Sequence, residues 1–244
     1  MSFVIRSKFI DNLNTYPVDG FHSQPEKIEN KIDRRYYHLV NINWYKNYIA
    51  NNLDVKNGLF IDCGGYDGCS VIKYLSQNPT FDAVTFEPNP ELWKYYKNIP
   101  TKLIKKAVYS HNRKKKFIID PFDYDGSTLI KQKMVDFHQR LDNKKCPSIV
   151  VECIDLSRFI NDMSKEYSII VLKLDVEGAE YDILEKLIKD KTIDLVYKIY
   201  AEFHWKKMNM EIERHQYIYD SVSLLMSIDF WDAKDYSIHR ELSI

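Results

Sequence analysis

From Leu59 onward, short apolar runs alternate with stretches of helical periodicity, and this alternation constrains the fold more than any other feature of the chain. Residues 59–63, 83–86, 103–108, 115–119, 149–154, 169–174 and 195–203 read as strands. Residues 70–77, 90–98, 156–163, 179–188 and 218–226 read as helices, and 230–233 with 237–242 as a closing antiparallel hairpin. Buried strands separated by helices are βαβ units, which assemble into a mainly parallel sheet. Residues 1–55 form an aromatic, polar lead-in with a helix expected over 42–53, and residues 56–244 form one α/β domain.

Glycine is scarce, seven residues in 244, yet Gly58, Gly64, Gly65 and Gly68 fall within eleven positions. They follow the first strand as Asp62-Cys63-Gly64-Gly65-Tyr66-Asp67-Gly68, a D-x-G-x-x-x-G turn at a strand-to-helix junction. Glycine there lets a ligand approach the backbone, and the helix start offers free N–H groups to negative charge. Glu87 ends the next strand, 19 residues past Gly68, where an acidic residue characteristically takes ribose hydroxyls. The dinucleotide fingerprint G-x-G-x-x-G does not fit: with Gly65 and Gly68 as its second and third glycines the first would fall on Cys63, and with Gly64 as the second the first would fall on Asp62. The turn therefore favours another adenosine-containing cofactor, S-adenosylmethionine (SAM), over a nicotinamide. Without the acidic follower it would be an ordinary βα turn.

Three stretches resemble the FkbM-type family of SAM-dependent methyltransferases: residues 60–68, the run Phe86-Glu87-Pro88-Asn89-Pro90, and Leu172-Lys173-Leu174-Asp175-Val176-Glu177-Gly178-Ala179-Glu180. Ile154-Asp155-Leu156 and Ala201-Glu202-Phe203-His204 also match, so the likeness spans roughly 58–205. It departs at Gly65-Tyr66, where family members often carry Ala-Asn. The resemblance implies a class I methyltransferase fold, Rossmann-like, with a mainly parallel seven-stranded sheet, helices on both faces and an antiparallel C-terminal hairpin. It implies O-methyl transfer, often to sugars. By position, Asp62, Gly64, Gly65 and Gly68 would surround the methionine part of SAM, Glu87 would hold the ribose, and Asn89, Ala107 and Val108 would flank the adenine.

Central parallel strands are normally apolar on both faces. Here alternation puts Val171, Lys173 and Asp175 on one face, and Lys198, Tyr200, Glu202 and His204 on a face of the following strand. Buried charges pair, and Glu177 or Glu202 is the expected partner of Lys173; a purely structural ion pair is the plainer reading. His204 has the intrinsic pKa best suited to a general base, ~6.5. Asp175 and Glu177, at a helix start, suit hydroxyl orientation. The expected catalytic set is Asp175, Glu177 and His204, with Lys173 and Glu202 beside them. Asp175, Glu177, Glu202 and His204 could also ligate a divalent metal, but no His-x-x-x-His or paired-Asp signature accompanies them, and a metal is not favoured.

Charge weighs on the acceptor. Thirty-five basic and 35 acidic residues cancel, whereas a polyanion binder needs a basic excess. Seven basic residues without an acid lie between Lys102 and Lys116; Asp120, Asp123 and Asp125 follow at once, so a solvated hairpin tip is favoured over a phosphate contact. The expected acceptor is a small molecule or glycan, with nucleic acid second. Two rivals remain: a 2′-O-methyltransferase on RNA using Lys173, Asp175, Lys198 and Glu202, and a non-catalytic SAM-binding subunit. No run is long and apolar enough for a membrane span. Cys63, Cys69, Cys146 and Cys153 form no C-x-x-C pair and read as reduced thiols of a cytoplasmic protein. Nothing in the chain sets an oligomeric state.

Overall fold

The computed structural model describes residues 35, 38, 39, 42, 43, 58–131 and 146–237. Strand β1 (Leu59–Cys63) is buried along its whole length. It pairs in parallel with β2 (Asp82–Phe86) on one side and with β7 (Ile170–Leu174) on the other. Beyond β2 lies β3 (Lys102–Ile104), and beyond β7 lie β8 (Lys198–Ala201) and β9 (Ile228–Asp229). The order is β3-β2-β1-β7-β8-β9, with every pairing parallel.

Alternation along β1 divides its side chains between two cores. Phe60 packs with Val71, Ile72, Tyr74 and Leu75 of helix α1 (Cys69–Gln77) and with Val171; its ring stacks on Tyr74 at 4.0 Å. Leu59, Ile61 and Cys63 face the opposite core. There they join Leu156 and Ile160 of helix α2 (Leu156–Met163) and Ile183, Leu184 and Leu187 of helix α3 (Glu180–Lys189). Two buried faces explain why these strands read as unbroken apolar runs.

A second sheet is smaller. Strands β4 (Ala107–Tyr109), β5 (Arg113–Ile118) and β6 (Ser148–Asp155) order as β4-β6-β5, with β5 antiparallel to β6. The single strand expected at 103–108 is thus two strands in two sheets. Lys105 and Lys106 make the break: Lys106 N donates to Ile104 O, Lys105 Nζ sits 4.4 Å from the Trp93 ring centroid, and Lys106 pairs with Glu152 at 2.6 Å.

Two further expectations change. The main sheet has six strands among the described residues: the strands expected at 115–119 and 149–154 belong to the small sheet, and β9 adds one at the edge of the main sheet. The closing hairpin does not begin as expected: β9 adds in parallel to β8, and residues 230–233 carry no regular structure. Residues 238–242 lie outside the described ones. Helix α4 (Ile212–Ser223) starts six residues earlier than its apolar positions indicated.

The described part of the lead-in touches the first loop. Ile42 joins the core around Phe60. Arg35 donates from Nη2 to Asp67 O at 2.6 Å and from Nη1 to Tyr236 O at 3.0 Å, and pairs with the Asp67 carboxylate at 3.4 Å. Ser237 Oγ donates to Asp67 Oδ2 at 3.0 Å. The rest of the helix expected over 42–53, and the boundary near residue 55, fall outside the described residues. Among the described residues no helix is long and apolar enough to cross a membrane. No disulfide joins the four cysteines, and burial pushes the Cys63 and Cys69 thiols well above their usual range.

Candidate functional site

The strand order reverses between β1 and β7, and ligands of open α/β sheets bind outside the carboxyl ends of strands at such a switch point. The residues leaving those ends are Gly64 after β1, Glu87 after β2, Asp175 after β7 and Glu202 after β8. Gly64 N and Gly65 N both donate to Phe86 O, which folds the first loop over the end of β2. Gly64 has φ +80°, and a Cβ there would lie 1.8 Å from Asp175 O. Only glycine permits the β1 and β7 loops to come this close.

Two cavities meet at this point. The first holds about 570 Å³ of empty space, part of it open to solvent, and is lined by Glu87, Pro88, Ala107, Val108 and Phe117 at its far end. Glu87 accepts from Tyr66 N at 2.8 Å and from Asn89 N at 2.7 Å. Burial outweighs these bonds and raises its pKa to about 7. The second cavity, about 1210 Å³, is lined by Lys173, Glu202, Lys207, Phe230, Trp231 and Asp232 among others. Gly64, Tyr66, Asp125, Asp175 and Glu177 line both.

Below the junction lies a buried polar network. Lys173 Nζ donates to Gly64 O at 2.7 Å and sits 3.3 Å from Asp62 Oδ1 and 3.4 Å from Asp175 Oδ2. Its partners are Asp62 and Asp175, not Glu177 or Glu202 as expected: β1 and β7 align with Asp62 opposite Lys173 on the α1 face. Burial works against the ammonium, but Asp62 and Asp175 prevail and hold its pKa above the usual lysine value. Burial raises Asp62, against the pull of Lys173. It raises Asp175 to about 6, again opposed by Lys173.

His204 is 2% exposed. Its Nδ1 lies 2.8 Å from Glu180 Oε1. Its Nε2 lies 3.2 Å from Glu177 Oε1, 3.5 Å from Glu202 Oε1 and 3.8 Å from Asp175 Oδ1. Burial opposes the charged ring, but Glu177, Glu180 and Glu202 override it and raise its pKa to about 12. Glu180 is fully buried and also accepts from Val176 N and Gly178 N. It fixes the turn in which Glu177 adopts φ +56°, a costly conformation for a non-glycine residue. Thr128 Oγ1 donates to Glu177 O at 2.6 Å on the turn's other side.

Of the residues singled out from sequence, Gly64, Glu87, Ala107 and Val108 line the first cavity, and Lys173, Asp175, Glu177 and Glu202 the second. Asp62, Gly65, Gly68, Asn89 and His204 are not among the lining residues. Asn89 caps the 3-10 helix Pro90–Tyr96 through Glu91 N, and its Nδ2 is buried without a hydrogen-bond partner. Lys198 is not brought to the site; it pairs with Asp229 at 2.6 Å. Of the seven basic residues between Lys102 and Lys116, Lys105 meets the Trp93 ring, Lys106 pairs with Glu152 and Lys115 meets the Tyr109 ring. Sequence reading missed Glu180, Lys207, Phe230, Trp231 and the dual role of Tyr66 and Asp125. Glu180 stood inside the 172–180 signature, so that one signal was available.

The family model described as the methyltransferase FkbM domain matches residues 62–232. No curated protein and no solved structure matches the chain.

Proposed function

Because the chain belongs to the FkbM methyltransferase family, we propose that it moves the methyl group of SAM to a hydroxyl of a saccharide. The observation that carries this reading is the shared wall. Asp175 and Glu177 line both a cavity with a ribose-type carboxylate at its far end and a wider, polar one. Donor and acceptor would meet beside them.

The residues suit SAM. Asp62 Oδ2 and the Asn89 amide nitrogen are buried without a hydrogen-bond partner, and Gly64 keeps the loop backbone bare of side chain. Each Glu87 oxygen spends one lone pair on a backbone N–H and keeps another for a ribose hydroxyl. Bound there, the sulfonium supplies an activated methyl for in-line displacement. Asp62, held by Lys173, lies under the methionine part. Ala107 and Val108 offer apolar walls to the adenine. Asp175 and Glu177 orient the acceptor hydroxyl and accept its proton, and His204, ringed by acids, fixes their side chains.

The lining of the second cavity favours a saccharide. It offers Asp123, Asp125, Asp175, Glu177, Glu202 and Asp232 against Lys173, Lys207 and Lys234, an acidic excess that repels phosphate. Phe230, 59% exposed, and Trp231 line the same cavity as those hydroxyl-binding groups, where aromatic residues suit a sugar. The lysine–acid set of an RNA 2′-O-methyltransferase does not assemble, since Lys198 is held by Asp229.

The test is methyl transfer from SAM to a panel of glycans, activated sugars and capped RNA. Alanine variants of Asp175, Glu177 and His204 are expected to lose about 100-fold or more in turnover while Glu87 continues to hold SAM. Unchanged turnover in all three would sink the assignment. SAM binding without transfer to any acceptor would favour a non-catalytic subunit.

A further inference from the structure

We infer that the carboxylates gathered around His204 form a binding site for one divalent cation of the Mn2+ kind, with His204 Nε2, Glu177, Glu202 and Asp175 as its ligands. The first ground is the imidazole itself. The His204 side chain is 1% exposed, and among the described residues its Nε2 makes no hydrogen bond. Yet carboxylate oxygens of Glu177, Glu202 and Asp175 stand 3.2, 3.5 and 3.8 Å from that atom. A hydrogen-bond acceptor would lie along the N–H axis. These oxygens are disposed near the nitrogen without meeting that geometry, as co-ligands of a metal on the ring axis would be. For bonds of about 2.1 Å, adjacent octahedral ligands lie about 3.0 Å apart and opposite ones about 4.2 Å apart. The three observed separations fall within that interval.

The second ground is the other ring nitrogen. Metal-bound histidines almost always donate their remaining N–H to a carboxylate, carbonyl or water, which fixes the tautomer and the ring plane. His204 Nδ1 lies 2.8 Å from Glu180 Oε1, and Glu180 is itself clamped by Val176 N and Gly178 N. Asp175, Glu180 and His204 each bring an atom within 4.8 Å of the others. Glu180 is already engaged by two backbone N–H groups and Nδ1, which makes it the outer support rather than a ligand. One imidazole nitrogen with three carboxylate oxygens is a mixed, mostly hard donor set.

Asp175, Glu177 and Glu202 also line the second cavity, so the cation would face the acceptor and could hold its hydroxyl. That role rests on the methyl-transfer reading; the site does not.

The experiment uses the full chain, stripped of metal with EDTA and titrated with Mn2+ while the free-ion electron paramagnetic resonance signal is followed. No methyl donor or acceptor is present. Saturable uptake of one Mn2+ per chain is expected, the cation displacing the Nε2 proton to solvent. Glu202→Gln, at a side chain 42% exposed, should weaken it about tenfold or more without changing the far-UV circular dichroism. His204→Gln should abolish it, and Glu152→Gln, at an exposed carboxylate elsewhere, should leave it unchanged. No saturable uptake by the wild-type chain would overturn the site, as would uptake indifferent to Glu202→Gln and His204→Gln. Failure here leaves methyl transfer standing, and a chain that binds Mn2+ but methylates nothing loses only the functional reading.

Discussion

Glu87 shows what one residue contributes. Its raised pKa of about 7 comes chiefly from burial, and it has two consequences of opposite sign. A carboxylate is the better acceptor for ribose hydroxyls, so SAM affinity should rise as pH passes upward through about 7. Calorimetric Kd values between pH 6 and 8 check this, and Glu87→Gln should flatten the profile while weakening binding by ~1.5–3 kcal/mol. In the ligand-free protein the folded state binds this proton more tightly than the unfolded one. Stability from this group is therefore full below its ordinary value of 4.5 and is lost as pH rises to about 7. The melting temperature should carry that decline, and Glu87→Gln should remove it. That Glu87 lines the first cavity follows from a local pattern, its 19-residue spacing from Gly68. The partner of Lys173 was not: alternation tells which face a side chain takes, but the register of Asp62 against Lys173 is set by pairing between strands 111 positions apart in sequence.

At the scale of elements, the turn between β7 and α3 carries the most. Glu180 opens α3 and reaches back to Val176 N and Gly178 N, where a carboxylate also meets the positive end of the helix. Glu180→Ala would leave His204 without its nearest carboxylate and two amides without an acceptor. A loss of ~3–5 kcal/mol is expected, read as a lower urea midpoint with unchanged slope. The 172–180 signature marked this turn in the sequence, yet the inward aim of Glu180 belongs to the folded turn alone. Strand 103–108 failed for a related reason. An apolar run interrupted by two lysines is compatible with one long strand or two short ones, and the choice lies with distant partners, β2 for β3 and β6 for β4.

At the scale of the whole molecule, alternation of apolar runs conveyed the parallel sheet, because strands buried on both faces leave a mark that no loop or surface helix imitates. The neutral balance of charge, together with the acid-rich second cavity, predicts that turnover on a neutral saccharide changes less than about twofold between 50 and 200 mM salt, where an enzyme contacting about six to ten phosphates of a nucleic acid would lose orders of magnitude. A steady-state series in sodium chloride checks it. The loop that carries Gly64 is also fastened from both directions: Arg35 reaches Asp67 and Tyr236, contacts 32 and 201 positions apart in sequence, and Ser237 reaches Asp67 across 170. A ribosome delivers residue 237 long after residue 67, about 10–30 s later at ~5–20 residues per second. Strands β1, β2 and β3 can pair before then, but the fastening cannot close. Contacts of such sequence separation close slowly, and, on the proposed function, SAM binding should recover from urea more slowly than the circular dichroism signal of the sheet.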